Sequence, residues 1–183
     1  MDIDVFSKIK LLILDVDGVF TNGILFLNSE GEEIKGFSTR DGLGIAMLIR
    51  AGVEVVMVTG RYSKTARIRA NELGIKNVYE KTVFKGPICR QIISDRNLTK
   101  DQVCAMGDDI IDLAMFSEVG LKTAPADAVQ EIISAADWVS SMPGGKGAIR
   151  ELCELILKSK NLWEDSINFY INGGFDRNIP YKF

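Results

Sequence analysis

The sequence predicts an α/β fold, a doubly wound parallel sheet with helices on both faces. Short β-branched apolar runs recur along the chain, each bounded by turn residues, as in strands buried on both sides. Helix-like stretches separate them, and this alternation builds right-handed βαβ units. The length of 183 residues suits one domain, and a chain this long buries about 70% of its unfolded surface without staples.

The expected strands, in order, are Ile9–Leu14, Val53–Val58, Asn77–Tyr79, Val103–Met106 and Trp138–Ser140. The expected helices cover about residues 41–51, 63–73, 85–96, 110–118, 126–135 and 147–159. One stretch departs from the alternation. Gly23–Phe37 reads as two strands, Ile24–Leu27 and Glu33–Phe37, around Asn28-Ser29-Glu30-Gly31, which is a hairpin signal directly after the first strand. No segment between strands is long enough for a second domain. The architecture is therefore a Rossmann-like doubly wound parallel sheet with a β-hairpin flap after the first strand and no cap domain. Residues 1–160 form the domain, and residues 161–183 form a tail with six of the chain's fifteen aromatics. That tail is read either as a helix docked on its own domain or as a segment that packs on another subunit.

Composition narrows the function. The formal net charge is −3, and the pI of about 5.1 lies far below that of nucleic-acid-binding domains. Neither nucleic acid nor an anionic membrane is an expected partner. The chain has no histidine, which excludes Ser-His and Cys-His pairs and histidine-ligated zinc. Acid–base work falls to carboxylates, Lys, Tyr or Cys. Cys89, Cys104 and Cys153 are odd in number and form no CxxC, so free thiols in a reducing cytoplasm are expected. No apolar run approaches a membrane span, and the acidic start MDIDVFSKIK is unlike a signal peptide.

In open parallel sheets, ligands bind beyond the carboxyl ends of the strands. The first strand is followed by Asp15-Val16-Asp17-Gly18-Val19-Phe20-Thr21, the second by Thr59-Gly60-Arg61, and the fourth by Gly107-Asp108-Asp109, with Asp112 one turn later. Lys85 stands at a helix start after the third strand, and Gly144-Gly145-Lys146-Gly147 follows the fifth. A lone Asp in such a loop is usually a helix cap. Asp15, Asp17, Asp108 and Asp109 converge from two strand ends, and that density of like charge is costly unless a cation meets it. Oxygen ligands of this kind suit Mg²⁺ together with a substrate phosphate. Thr59 and Lys85 then serve as phosphate ligands. Without histidine, a carboxylate is the best nucleophile beside the metal, and a second one two residues on can protonate the leaving oxygen and activate water.

Other phosphate-binding patterns fit less well. No GxxxxGK[ST] occurs. Gly42-Leu43-Gly44-Ile45-Ala46-Met47 lacks the third glycine of GxGxxG and follows no core strand. A two-component receiver domain uses acids, Thr and Lys in a different order along the chain.

The set DxDGxxT, Thr, Lys and GDD, in this order over roughly residues 8–157, resembles the four motifs of the haloacid dehalogenase superfamily of phosphatases. The resemblance implies Asp15 as nucleophile, Asp17 as general acid/base, and Thr59 and Lys85 as phosphate holders. It implies Mg²⁺ on Asp15, the Asp17 carbonyl and Asp108, with Asp109 orienting the site. DVDGVFTNG, FSTRDG at 37–42, VTGR at 58–61, MGDDIIDL at 106–113 and GGKGAIRELCELIL at 144–157 are similar to the capless 3-deoxy-D-manno-octulosonate (KDO) 8-phosphate phosphatases. Those are tetramers in lipopolysaccharide biosynthesis, and their relatives act on sialic-acid-type 9-phosphates.

An ulosonic acid carries a carboxylate, which Arg matches bidentately. Arg61 and Arg40, with Gly60 between Thr59 and Arg61, are thus candidate substrate residues, whereas relatives acting on 9-phosphates tend to lack both arginines. Lys146 and its flanking glycines read equally as a backbone nest near substrate or as a structural turn. Asn22 stands where the family usually has Asp, and the tail does not align. Domains of this type also occur as oligomerisation modules attached to sugar cytidylyltransferases, so a non-enzymatic role stays open beside the phosphatase one. A homotetramer is expected because the flap alone cannot enclose the sugar acid, and Ile24, Phe26, Ile34 and Phe37 offer apolar faces.

Overall fold

A computed structural model describes residues 4–174. Six parallel strands form one sheet in the order β5-β4-β1-β6-β7-β8. They are β1 (Leu11–Leu14), β4 (Glu54–Val58), β5 (Asn77–Tyr79), β6 (Val103–Met106), β7 (Leu121–Ala124) and β8 (Trp138–Val139). The flap is a separate antiparallel pair, β2 (Phe26–Leu27) and β3 (Glu33–Ile34). Helices α1 (Asp4–Ser7), α2 (Thr39–Arg50), α3 (Lys64–Glu72), α4 (Lys85–Asp95), α5 (Leu113–Phe116), α6 (Gln130–Ala135), α7 (Ala148–Ser159) and α8 (Trp163–Ile171) complete it, with 3₁₀ turns at Lys100–Gln102 and Ile110–Asp112.

The central strands show why both faces are covered. Leu12 and Leu14 join one core with Val55, Met57, Cys104 and Met106, beneath α2 and α7. Leu11 and Ile13 join the opposite core with Val56, Val58, Val103 and Ala105, beneath α4, α5 and α6. Successive side chains in a strand point to opposite faces, so a strand apolar at every position needs a helical layer on each side. In α7 the buried Ile149, Leu152, Cys153, Ile156 and Leu157 form one stripe, which packs against α2. The β1 register, Leu11 opposite both Glu54 and Val103, aligns the carboxyl ends of β1, β4 and β6.

Several expectations need correction. Strand β7 is absent from the expected set, because Leu121-Lys122-Thr123-Ala124 is short, carries a lysine and sits between Gly120 and Pro125. Its pairing with β6 and β8 makes it a strand. The helix expected at 110–118 is a 3₁₀ turn followed by the single turn α5, and α6 begins at Gln130 because residues 125–129 form a loop whose Val129 N–H donates to the Asp108 carbonyl at 2.9 Å. Phe37 is not an exposed flap face: it packs on Phe20 with ring centroids 4.9 Å apart.

The tail's first part docks on its own domain. Leu162, Trp163 and Tyr170 pack on the core, and the Arg50 guanidinium lies 4.0 Å from the Phe169 ring centroid. Phe175, Tyr181 and Phe183 lie outside the described residues. Among the described residues, no helix is long and apolar enough to cross a membrane.

Candidate active site

The carboxyl ends of β1, β4 and β6 carry the polar residues that the sequence singled out. Asp15 directly follows β1 and is buried, its N–H donating to the Met106 carbonyl at 3.1 Å. Lys85 opens α4 with no exposed surface. Its Nζ donates to Asp15 Oδ1 at 2.5 Å and to Asp112 Oδ1 at 2.6 Å. Lys85 thus ties the β1 loop to the β6 loop, as a buried ammonium must when its charge is met by two carboxylates.

Asp112 is the residue whose weight the sequence understated. It is fully buried, and its second oxygen accepts from the N–H groups of Asp108 at 2.9 Å and Asp109 at 3.3 Å. Its spacing from GDD was visible, but a side chain curling back onto its own loop was not. Asp109, expected to orient the site, is exposed, and its carboxylate caps the next turn by accepting from the Ile110 N–H at 2.7 Å. It does not join the cluster.

Carboxylate oxygens of Asp15, Asp108 and Asp112 lie within 4.8 Å of one another. Burial, and then the Asp112 charge, push Asp15 above the ordinary carboxylate range, although Lys85 pulls the other way. Burial and the neighbouring charges of Asp15, Asp112 and Asp109 raise Asp108 as well. Lys85 is itself held above its usual range: burial opposes its charge, and Asp15 and Asp112 outweigh burial.

Three carboxylates thus face one ammonium. Both Asp112 oxygens are taken by donors, whereas Asp108 Oδ1 is buried with no hydrogen-bond partner. That donor set fits a hard divalent cation, with Asp15 and Asp108 as its side-chain ligands and Asp112 as a brace. The loop's geometry depends on Gly18, at φ +94°, where an added Cβ would stand 1.9 Å from Asp108 Oδ2.

Thr59 follows β4 and is buried. Its Oγ1 accepts from the Arg61 N–H at 3.3 Å, and its backbone is fixed by Tyr79 and Thr82. Gly60 is half-buried between them. The Arg61 guanidinium, half exposed, reaches Glu33 of the flap at 3.3 Å and stands 3.9 Å from Asp17 Oδ2. It lines a cleft of about 470 Å³ between the flap and the β4–α3 loop. Asp17 Oδ1 accepts from Lys35, a flap residue that no sequence motif marks.

Arg40 does not join this group. It sits in the first turn of α2 and lines a different cavity, of about 460 Å³, with Lys146 and Arg150. The glycine loop is a structural turn rather than an open nest. Gly144 N–H donates to Asp127, Gly145 N–H to the Val19 carbonyl, Lys146 N–H to the Pro143 carbonyl, and Gly147 N–H to buried Asp41. Its amides are committed to protein acceptors. All three cysteines are buried, and burial pushes their thiols up, away from reactivity.

With this geometry in hand, the comparisons with known proteins agree. A family model for haloacid dehalogenase-like hydrolases matches residues 74–151. The chain is 38% identical over 165 residues to a 3-deoxy-D-manno-octulosonate 8-phosphate phosphatase of Yersinia pestis, covering 90% of this chain and 88% of the relative. The crystal structure of the Yersinia pestis enzyme superposes with a TM-score of 0.86 at 39% identity, covering 88% of each chain. A Moraxella catarrhalis 3-deoxy-D-manno-octulosonate 8-phosphate phosphatase, solved with magnesium, phosphate and KDO, superposes with a TM-score of 0.89 at 32% identity, covering 92% of this chain and 97% of that one. The chain therefore belongs to the haloacid dehalogenase-like hydrolases, within the group of the 3-deoxy-D-manno-octulosonate 8-phosphate phosphatases.

Proposed function

We propose that this protein hydrolyses KDO 8-phosphate to KDO and inorganic phosphate through a phosphoryl-aspartate on Asp15. The observation that carries the reading is Asp15 buried at the end of β1, held by Lys85 at 2.5 Å beside the unpartnered Asp108 Oδ1. Asp15 attacks phosphorus, and the bond from phosphorus to the sugar oxygen breaks. Asp17 gives that oxygen a proton, then takes one from the water that releases phosphate from Asp15. Thr59 and Lys85 hold the phosphate oxygens, and Asp112 keeps Lys85 in place. Mg²⁺ held by Asp15, the Asp17 carbonyl and Asp108 would neutralise charge on the phosphate oxygens. Asp109 supports this site through its cap of the turn at Ile110–Asp112, and its charge lies near Asp108.

Arg61, next to Gly60, is the contact for the sugar carboxylate. Arg40 reaches substrate in this reading only across a subunit boundary. We further infer a cytoplasmic homotetramer, with residues 1–160 carrying the reaction. Ile24, Phe26, Leu27 and Ile34 of the flap and Val83 and Phe84 before α4 are each more than half exposed, an apolar surface that a second copy would cover.

A panel of sugar phosphates assayed for released phosphate with Mg²⁺ tests the reading. KDO 8-phosphate is expected to be turned over with the highest kcat/KM. A preference for N-acylneuraminate 9-phosphate would move the substrate to the nine-carbon acids. No release from any member would leave a non-enzymatic module. Light scattering at micromolar concentration tests the assembly, and a fully active monomer would refute it.

A further inference from the structure

The flap carries a buried lysine. Lys35 directly follows β3, and its side chain has no exposed surface. Its ammonium donates to Asp17 Oδ1 and lies 3.5 Å from Glu33 Oε1. Glu33 is anchored in turn. Ser63 Oγ donates to it at 2.6 Å, Arg61 Nη2 at 3.3 Å, and Thr65 Oγ1 donates to its carbonyl at 3.2 Å. An ammonium is buried only where counterions repay its lost hydration. Both counterions of Lys35 stand at the mouth of the site, one of them on the β1 loop.

The two oxygens of Asp17 therefore differ. Oδ1 is fixed by the flap, whereas Oδ2 is buried, faces the Arg61 guanidinium at 3.9 Å and accepts no hydrogen bond. We propose that Lys35 is a positioning residue. It clamps Oδ1 so that Oδ2 is the oxygen that gives and takes the proton, and it couples the seating of the hairpin to the acid–base step. The inference rests on the role of Asp17 stated above. As the Asp15–phosphorus bond forms and the bond from phosphorus to the sugar's C8 oxygen breaks, the proton on Oδ2 passes to that oxygen. When water attacks phosphorus and phosphate leaves Asp15, the water's proton returns to Oδ2. Lys35 exchanges no proton in either half. Glu33 holds the lysine from the far side, so the clamp spans the flap and the β4–α3 loop.

The test uses the full chain with Mg²⁺ and two substrates under single-turnover conditions. The alkoxide of KDO 8-phosphate needs a proton to depart, whereas nitrophenolate from p-nitrophenyl phosphate does not. Lys35→Met keeps the side chain's stem and removes its ammonium. It is expected to slow KDO release about 10–100-fold, part of what a placed general acid supplies, and nitrophenolate release less than about 3-fold. Lys35→Arg, which restores a cation, is expected to recover much of the loss. Equal losses on both substrates would assign Lys35 to the fold or to the phosphate and overturn the proposal, as would no loss on either. Should Lys35→Met fail to fold by its melting curve, Glu33→Gln reads the same split through the lysine's other partner, and an equal loss there overturns it too. Failure of the broader reading looks different. A wild-type protein inert to KDO 8-phosphate refutes that substrate, and the split is then read on whichever alkyl phosphate is hydrolysed. An Asp17→Asn variant active on both substrates refutes the acid–base role itself.

Discussion

Gly18→Ala is the perturbation whose effect follows most directly from the structure. At this position φ is +94°, and a Cβ would stand 1.9 Å from Asp108 Oδ2 and 2.4 Å from its carboxyl carbon. Ordinary contact of carbon with oxygen needs more than 3 Å, so the Asp108 carboxylate must move by about 1 Å or more. A displacement of that size at a reacting centre costs about 100-fold in rate. The left-handed backbone adds about 1–2 kcal/mol of strain for an alanine, and for a chain of this length each kcal/mol lowers Tm by about 2–4 °C. The added methyl meets the Asp108 carboxylate and not an apolar core side chain, so the variant is expected to fold, melt about 2–8 °C lower, and lose both turnover and the rise in Tm that Mg²⁺ produces. Phosphate release and a melting curve with and without Mg²⁺ measure all three. Wild-type turnover together with a wild-type response to Mg²⁺ would refute the placement of Asp108 against Gly18 and its part in holding the metal.

Three further outcomes are expected. Lys85→Met removes the ammonium between two buried carboxylates, a loss of about 3–5 kcal/mol in such settings; calorimetry in EDTA checks it, and an unchanged Tm would contradict it. Asp15 and Asp108 are raised in the folded metal-free protein, so the fold holds protons that the unfolded chain, titrating near pH 4, has lost. Their contribution to stability therefore falls as pH rises above that range, and the Mg²⁺-induced rise in Tm is expected to be larger at about pH 8 than at about pH 5; a shift independent of pH would contradict it. Arg61→Ala is expected to reduce kcat/KM for KDO 8-phosphate about 10–150-fold, the worth of a charged hydrogen bond, with a smaller effect on phenyl phosphate; equal effects would assign Arg61 to the phosphate or to the flap.

The sheet, most of its strands and the acids at its carboxyl edge were legible because each depends on local sequence: short apolar runs, DxDG, GDD and a lysine at a helix start. What stayed hidden depends on pairing or on long-range placement. The strand at 121–124 is identified by its neighbours β6 and β8, not by its composition. Asp112 and Asp109 are both acids after the same strand, and only the backbone's path decides which turns inward to Lys85. Lys35 lies eighteen residues from its partner Asp17 and looks in sequence like any flap charge. Arg40 and Arg61 were both legible as candidate carboxylate ligands, and the fold puts them in separate cavities. The glycine loop had two readings, and its committed amides select the structural one.

Phosphate release from KDO 8-phosphate with Mg²⁺, measured for the wild-type protein and for Asp15→Asn, tests the central claim most directly. An amide is a far poorer nucleophile than a carboxylate, and phosphomonoester hydrolysis needs acceleration by as much as about 10²¹-fold. The account predicts Mg²⁺-dependent turnover by the wild type and none by a folded Asp15→Asn. Activity in that variant above a few per cent of wild type, on the order of what contamination leaves, would contradict the assignment of Asp15 as nucleophile.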